Sequence, residues 1–182
     1  MGILKKPLKE KLICGFIYKE TGVYEKAKKS LASRFGKIDF ESREIDFNYT
    51  RYYAAEMGEG LKRRFVSFEK LIDPDKLADA KIFSNKVEEK HLYPGTKNRM
   101  INIDPGLICE SKLVLATTKN FSHRVYIGKG IYAEVTLLYK NGGFKTLEWT
   151  YPDYASDKYI DIISRIRSLF TAGKSQKSHK KP

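Results

Sequence analysis

The feature that most constrains the fold of this chain is an unbroken apolar run near its start, Leu12-Ile-Cys-Gly-Phe-Ile-Tyr18. A strand that is apolar at every position has to be covered on both of its faces, so the run predicts a central strand of a sheet. It is too short to span a bilayer, and no apolar stretch followed by a small-residue cleavage site stands before it. We therefore expect a cytoplasmic protein built around a covered sheet.

The segments that follow alternate between helical and strand patterns. Apolar residues at helical spacing predict a first helix that ends at Gly36, and Asp73-Pro74 is typical of the start of a second helix. Strands are predicted around these helices at residues 38–47, 61–72 and 100–104. The order β-α-β-β-α-β predicts an α+β fold with a split βαβ (ferredoxin-like) core, which is an antiparallel sheet with two helices on one face.

The second half of the chain predicts an extension of this core. Pro105-Gly106 is expected to end a strand in a turn, and residues 110–120 are ambiguous between helix and strand, with helix favoured. Two further strands are predicted between residues 124 and 139, and Asn141-Gly142-Gly143 is a strong hairpin signal. Because helical spacing resumes at Ser156, we expect a β-hairpin extension followed by a C-terminal helix.

Length and charge bound the domain organisation. The length of 182 residues favours one domain, which we assign to residues 12–172. The net charge is +13, of which residues 1–11 contribute +3 and residues 173–182 contribute +4. These ends are predicted to be a basic N-terminal arm and a disordered lysine-rich tail. Positive charge favours polyanions and acidic surfaces as partners, although a lysine-rich exterior also serves solubility alone.

Polar and ionisable side chains recur between Arg99 and Glu134, inside segments that otherwise have strand-like patterns. Buried polar groups are costly unless they are paired, so such a segment builds either a network or a site. Hydroxyls and cationic groups are concentrated there, and these are the donors that a phosphate group requires. A helix end whose cations complement the helix dipole is the competing interpretation. We predict a polar pocket for a phosphate-bearing ligand such as a nucleotide, built from Asn102, Asp104, Lys112, Thr117, Thr118, Lys119, His123, Arg124 and Glu134.

Magnesium is the cofactor considered for this pocket, because carboxylates that converge suit a hard cation. The residues that would have to converge are Asp104, Glu134, Glu88 and His123. Solvated carboxylates and a surface histidine explain the same residues. The cysteines Cys14 and Cys109 lack the paired spacing of zinc ligands and are predicted to be reduced, buried thiols.

Catalytic and nucleotide-binding fingerprints fail on inspection. Gly173-Lys174-Ser175 resembles the end of a phosphate-binding P-loop, but the glycine required five residues before its second glycine is replaced by Ser168. An enzyme that acts on phosphate esters is still a hypothesis, with Glu134 or His123 as the group that carries a proton.

A third hypothesis is binding of RNA or single-stranded nucleic acid. Lys62, Arg63 and Arg64 lie on one predicted strand, beside a loop that contains Tyr53 and other tyrosines. Basic residues interleaved with aromatic rings contact the backbone and stack on the bases of single strands. Strand alternation directs Lys62 and Arg64 to one face of the sheet and Arg63 to the other.

Six short motifs occur together in this chain in a fixed order. They are Glu56-Met-Gly58, Leu61-Lys-Arg-Arg-Phe65, Asn102-Ile-Asp-Pro-Gly106, Lys112-Leu-Val-Leu-Ala-Thr-Thr-Lys119, Gly130-Ile-Tyr-Ala-Glu134 and Trp149-Thr-Tyr-Pro-Asp-Tyr154. On these motifs the chain resembles an uncharacterised prokaryotic family, a domain of unknown function, from about Leu8 to Phe170. The resemblance implies a family and not an activity. Some members carry the label "GTP-binding protein", and the incomplete P-loop argues against applying that label here.

Overall fold

The computed structural model describes residues 2–178, apart from the side chains of residues 174–178. Within this range the chain forms one sheet of nine strands and four α-helices. The strands are β1 Lys11–Tyr18, β2 Ile38–Glu41, β3 Ile45–Asp46, β4 Lys62–Phe68, β5 Ile101–Ile108, β6 Lys112–Thr117, β7 Val125–Gly128, β8 Ile131–Lys140 and β9 Gly143–Thr146. The helices are α1 Thr21–Phe35, α2 Ala54–Met57, α3 Leu77–Glu89, which follows a 3-10 turn at Pro74–Lys76, and α4 Asp157–Ser178.

The sheet is antiparallel and has the strand order β2-β4-β1-β5-β6-β8-β7, with β3 added to β4 and β9 added to β8. The expected mixture of helices and strands, the antiparallel sheet and the C-terminal helix are confirmed. The sheet is larger than a four-stranded split βαβ core, because β3, β6, β7, β8 and β9 also join it. The hairpin signal at Asn141-Gly142-Gly143 joins β8 to β9, as predicted.

The strand predicted to be central is central, and all eight residues of β1 are buried. Alternate side chains of a strand point to opposite faces, so β1 serves two cores. On one face Leu12 and Phe16 pack with the apolar sides of α1 and α3. On the other face Ile13 belongs to a cluster with Phe65 and the α4 residue Ile163. The sheet is therefore covered on both sides, by α1 and α3 on one and by α4 on the other.

Two predictions for the second half of the chain were wrong. Pro105-Gly106 lies inside β5 rather than in a turn, because β5 pairs with β1 at all eight of its residues and is held in the sheet from that side. Residues 110–120 contain strand β6 rather than a helix, because β6 pairs with β8 from Lys112 to Thr117. In both cases the pairing with a distant strand overrides the local signal.

Strands β5 and β6 separate along half of their length. In the described residues their ladder consists of the pairs Gly106–Leu115, Leu107–Val114 and Ile108–Leu113, while β6 continues along β8 to Thr117. Ile103 directs its N–H and C=O away from β1. The backbone of Pro105, two residues further along β5, also faces the side of β6, and proline has no N–H that could donate to that strand. The gap between residues 101–105 of β5 and 116–117 of β6 is called the β5–β6 split below.

The ends of the chain differ in part from the predicted arm and tail. Lys11, assigned to the N-terminal arm, begins β1 and is buried, where its ammonium bonds to Asp39 and to the carbonyl of Phe68. Helix α4 continues to Ser178, through part of the predicted lysine-rich tail. Residues 179–182 of that tail lie outside the described residues. Both cysteines are free, and Cys14 is buried whereas Cys109 is partly exposed.

Between residues 2 and 178, no helix combines the length and the apolar character needed to cross a bilayer.

Gly106 pairs with Leu115 at the end of the β5–β6 ladder that borders the split. A β-carbon at this residue would stand 2.6 Å from the carbonyl oxygen of Val114, which is fixed in the neighbouring strand. We therefore expect Gly106→Ala to lower the free energy of unfolding by about 1–3 kcal/mol, measured by urea denaturation. Gly143→Ala is the matched control, because a β-carbon there meets open space. It should change stability by less than about 0.5 kcal/mol, and equal losses in both variants would contradict the explanation.

Candidate functional site: a cavity at the split in the sheet

A cavity of about 750 Å³ opens at the β5–β6 split and is called the split cavity below. Its volume lies within the range of about 300–1,000 Å³ that is common for small-molecule sites. Five cations line it: Arg63, Lys81, Arg99, Lys119 and Arg124. Five carboxylates line it: Glu88, Glu89, Asp104, Glu134 and Asp153. Six aromatic side chains complete the walls: Phe47, Tyr49, Tyr52, Tyr53, Tyr151 and Tyr154.

Two charged side chains of α3 reach the open edge of β5 at the split. The Glu88 carboxylate accepts a hydrogen bond from the N–H of Ile103 at 2.7 Å, and the Lys81 ammonium donates to the carbonyl of Ile103 at 2.8 Å. These backbone groups face the side where β6 has moved away, so side chains take over the role of the missing ladder. Both side chains are buried, and their charged ends lie 3.9 Å apart.

Arg99 connects β5 to the loop that contains α2. Its guanidinium makes a two-pronged pair with Glu56, with distances of 2.6 Å from Nε to Oε1 and 2.8 Å from Nη2 to Oε2. The same guanidinium donates to Glu88 at 2.8 Å and to the side-chain oxygen of Asn102 at 3.0 Å. A bidentate pair fixes direction as well as distance, so this wall of the cavity is held in one geometry. Hydrogen bonding to Arg99 also lowers the pKa of Glu56.

Arg63 extends the same network into the centre of the sheet. Three aromatic rings surround its guanidinium, with 4.7–5.6 Å from Cζ to the ring centroids: Phe65, Tyr154 and Tyr159. The guanidinium donates to the Tyr154 hydroxyl at 2.6 Å and to Asp104 at 3.3 Å, and Asp104 also accepts from Asn102 at 2.9 Å. Gly15 makes room for it, because a β-carbon there would lie 2.9 Å from Arg63 Cζ. A continuous chain of polar contacts therefore runs from Glu56 to Arg63.

Glu134 organises the opposite wall. Its buried carboxylate accepts a hydrogen bond from Arg124 Nε at 2.7 Å and lies 3.1 Å from His123 Nε2. Arg124 also donates to the Tyr151 hydroxyl at 2.6 Å and to the carbonyl of Lys119 at 3.0 Å. One guanidinium thus connects β8, the loop after β6 and the segment before α4, which fixes the width of this side of the cavity.

Lys119 contacts an aromatic side chain, whereas the other four cations of the lining pair with carboxylates. Its ammonium bonds to the hydroxyl of Tyr52 and lies 4.3 Å from the centre of that ring. Thr117 and Thr118, which precede it, also line the cavity. Because an aromatic ring does not neutralise a charge as a carboxylate does, Lys119 offers its positive charge to an incoming anion.

Two buried carboxyls of the lining are shifted towards their neutral form. Burial raises the pKa of Glu88, although Lys81 and Arg99 oppose the shift. Burial likewise raises the pKa of Asp153, with the charge of Arg63 acting in the opposite direction. Carboxyls with a raised pKa beside a cavity are candidates for proton transfer, and they also arise in structural networks.

The cavity brings together seven of the nine predicted ligand-binding residues: Asn102, Asp104, Thr117, Thr118, Lys119, Arg124 and Glu134. The other two lie outside its lining. Lys112 stands at the opposite end of β6, where it pairs with Leu138. His123 lies behind Glu134 and is connected to the cavity through that carboxylate.

The residues of the nucleic-acid hypothesis do not form one exposed basic surface. Arg63 is buried, and it lines the split cavity together with Tyr53. Lys62 pairs with Asp46 at 2.6 Å, and Arg64 pairs with Glu41 at 2.8 Å. Lys62 and Arg64 do lie on the face opposite to Arg63, as the strand alternation predicted.

Sequence reasoning missed Lys81, Tyr151 and Asp153 as members of this site. It named Arg99 only as the start of the polar segment and considered Glu88 for a metal only. The signal for the α3 residues was a polar stripe, Lys81, Asn85 and Glu88, at helical spacing beside the apolar face of the helix. A polar stripe is usually a solvated surface, so the pattern alone does not separate the two cases.

The convergence of residues considered for magnesium is not formed in the described part of the chain. There, no group of three or more histidine, cysteine, aspartate or glutamate side chains is arranged to hold a metal ion. Glu134 and His123 pair on one wall, whereas Glu88 and Asp104 belong to the network on the other wall.

The fold and the cavity together define a class: a single-sheet protein of mixed helices and strands whose sheet opens around a charged, ligand-sized cavity. The chain matches the family model of a domain of unknown function, DUF4416, over residues 8–170, and it belongs to this family. The resemblance drawn from the six motifs is therefore confirmed. No curated protein and no solved structure matches the chain.

Lys81→Met tests whether α3 side chains hold the split together. The variant removes the donor to the carbonyl of Ile103 and one of the two cations beside buried Glu88, which keeps Arg99, so we expect the free energy of unfolding to fall by about 1–3 kcal/mol. Lys86→Met on the exposed side of the same helix is the control and should change it by less than about 0.5 kcal/mol. A loss below about 1 kcal/mol for Lys81→Met, measured by chemical denaturation, would mean that the contact is dispensable.

Asp153→Asn tests whether the buried carboxyl has a raised pKa, through the pH dependence of the melting temperature. The pKa of Asp153 is raised in the folded state, so this carboxyl binds its proton more tightly in the folded than in the unfolded protein. The folded protein therefore loses stability as the pH rises from the pKa of this group in the unfolded chain through its pKa in the folded chain. Asparagine does not ionise, so the melting temperature of the variant relative to the wild type should rise between about pH 3 and pH 7. Differential scanning fluorimetry across this range measures the difference, and a constant or falling difference would refute the assignment.

Proposed function

We propose that this protein binds a phosphate-bearing ligand of the nucleotide class in the split cavity. The observation that carries the proposal is that Lys119, Thr117 and Thr118 lie on the lining of a cavity whose walls also contain six aromatic rings. A nucleotide combines an aromatic base, a hydroxyl-bearing sugar and an anionic phosphate. Each of these parts has a chemical counterpart in this lining.

The phosphate would bind at residues 117–119. Two hydroxyls and an ammonium group are close together in this segment, and Arg124 stands beside it. Charge-assisted hydrogen bonds of this kind are the strong contacts to phosphate oxygens. Arg63 and Arg99 are already paired with Asp104 and Glu56, so Lys119 is the residue on which recognition of the anion depends most.

The base would bind among the tyrosines of the loop between β3 and α2. Tyr49, Tyr52 and Tyr53 all line the cavity, and their rings lie near one another and near Phe47. Aromatic faces provide large apolar contact with a specific geometry, which suits a planar base. The carboxylates of Asp104 and Asp153 face the same space and can accept hydrogen bonds from sugar hydroxyls or exocyclic amines.

A second candidate function is hydrolysis or transfer of a phosphate ester. The specific observation in its favour is Asp153, a cavity-lining carboxyl whose pKa is raised by burial. A carboxyl whose pKa is raised above its ordinary value can serve as a proton donor or acceptor in such a reaction. Release of phosphate from nucleotides by the wild type, with loss in Asp153→Asn at unchanged ligand affinity, would favour this function over binding alone.

We also infer that the core has the split βαβ (ferredoxin-like) topology. The partial order β2-β4-β1-β5 supports it, with α1 joining β1 to β2 and α3 joining β4 to β5. Both helices contribute to the same core cluster, which is consistent with two helices on one face. An experimental structure in which β2 or β5 had a different neighbour would contradict this inference.

A thermal-shift and calorimetric screen of nucleoside mono-, di- and triphosphates, with inorganic phosphate alongside, tests the binding proposal. A ligand at a hundredfold excess over its dissociation constant stabilises the folded state by about 2.7 kcal/mol, which is a clear rise in melting temperature. Lys119→Met should weaken binding by about tenfold or more, because a charge-assisted contact with the ligand is lost. Lys119 faces solvent, so the substitution should leave the fold intact.

Lys112→Met is the matched control. Lys112 begins strand β6, which leads to the loop of Lys119, and it was predicted for the same pocket, but it is outside the cavity lining. Its removal should leave affinity unchanged. The proposal is wrong if no phosphate-bearing compound stabilises the wild type, or if the two lysine variants lose affinity equally.

A further inference from the structure

Five of the six exposed aromatic side chains of the described residues either line the split cavity or adjoin its Glu134 wall through His123. Three of them line the cavity itself: Tyr49, Tyr52 and Tyr151. Three more lie outside it and are 64%, 58% and 39% exposed: Phe121, Tyr126 and Trp149. Rings of this size are usually buried unless a partner covers them, so their clustering at one opening marks an interaction surface.

Phe121, His123 and Trp149 form a continuous row, called the aromatic track below. The rings of Phe121 and His123 have centroids 5.4 Å apart, and His123 stacks on Trp149 at 5.3 Å with an angle of 9° between the planes. The indole N–H donates to the carbonyl of Val135 at 2.8 Å, which holds the ring in place while it remains exposed. The track is therefore built before any partner arrives, which lowers the entropy cost of binding.

The track begins at the wall of the cavity. His123 bonds to Glu134, and the same carboxylate holds Arg124, which lines the cavity. Tyr126 pairs with Tyr132 across β7 and β8, and Tyr132 is on the face of β8 that carries Glu134. Tyr126 therefore projects from the same face of the sheet as Glu134, where its ring contacts that of Tyr132.

Cations stand beside these rings. Lys119 precedes Phe121 by two residues, whereas the Arg124 guanidinium is 8% exposed and held by Glu134. Arg51 is exposed in the loop that carries Tyr49 and Tyr52, on the other side of the mouth. Rings that accept stacked bases, beside cations that neutralise a backbone, are the recognition chemistry of single-stranded nucleic acid. The net charge of +13 favours a polyanion over an apolar partner.

We infer that the ligand of the split cavity is the terminal nucleotide of a single-stranded nucleic acid, with the following nucleotides stacked along the aromatic track. This inference rests on the proposed function, because it requires a nucleotide in the cavity. It differs from the first nucleic-acid hypothesis in its residues, since Lys62, Arg63 and Arg64 take no part in the track. A free mononucleotide would fill the cavity and leave the track uncovered.

Binding of a length series to the purified full-length protein tests this inference. The series contains a mononucleotide and single strands of two, four and eight nucleotides of one base, together with a circularised eight-nucleotide strand that has no end. We expect affinity to rise by about tenfold for each of the first stacked bases and then to level off. The circular strand should bind at least about tenfold more weakly than the linear strand, and raised salt should weaken the strands more than the mononucleotide.

Phe121→Ala isolates the track from the cavity. This exposed ring should contribute to the strands alone, so the variant should lose about tenfold in affinity for the four-nucleotide strand and keep its affinity for the mononucleotide. Phe121→Tyr retains the ring and should retain the affinity. Leu169→Ala on α4 is the matched control, because Leu169 is 43% exposed and belongs to a different surface, and it should alter neither affinity.

The outcomes separate the two proposals. If the mononucleotide binds as tightly as every strand, or if Phe121→Ala leaves strand affinity intact, the track does not bind nucleotides and the proposed function stands alone. If neither mononucleotide nor strand binds, both proposals fall. If strand binding disappears on removal of residues 173–182 and is insensitive to Phe121→Ala, the lysine-rich tail is responsible. A dimer in sedimentation that Phe121→Ala dissociates would assign the track to self-association.

Discussion

The structure depends on the replacement of strand pairing by charged side chains at Ile103. Where β6 leaves β5, the exposed backbone groups of a central strand would lose their partners, and each unsatisfied buried group costs about 1–3 kcal/mol. Lys81 and Glu88 of α3 supply one donor and one acceptor at this point. A continuous sheet has no ligand-sized space between its strands. The cavity therefore exists because side chains of α3 satisfy the backbone groups that the opening exposes.

This solution commits the protein to a large buried network. An isolated ion pair in the interior seldom repays its desolvation, and it becomes acceptable when its remaining hydrogen-bonding positions are filled. Glu88 is therefore shared with Arg99, which is clamped by Glu56, and the contacts continue through Asn102 and Asp104 to Arg63. The floor of the cavity is rigid as a result. The mouth differs, because Lys119 contacts Tyr52 across two loops, and loops adapt to a ligand more easily than paired strands.

Whether an element could be predicted from the sequence depended on whether the interactions that fix it are local or join distant parts of the chain. Strand β1, helices α1, α3 and α4 and the turn at Asn141-Gly142-Gly143 have local signals, and they were found. Pro105-Gly106 and β6 were misassigned because their state depends on pairing with β1 and β8. The candidate residues of β5 and β8 were recognised as polar groups inside strand patterns, and those at the end of β6 as a concentration of hydroxyls and cations. Arg63 was taken for a surface residue because Tyr154, which helps to enclose it, lies 91 positions away in the sequence.

Helix α4 has a role that its amphipathic pattern does not reveal. Its inward residues Tyr159, Ile163 and Ile166 belong to one cluster with Ile13 and Phe65 from one side of the split and Leu137 and Phe144 from the other. The two halves of the sheet share only three pairs between β5 and β6, so a large part of the contact that joins them is the packing against this helix. Apolar packing at interior density resists changes of volume. The position of α4 therefore sets how far the sheet can open, and with it the width of the cavity that β5, β6 and α3 enclose.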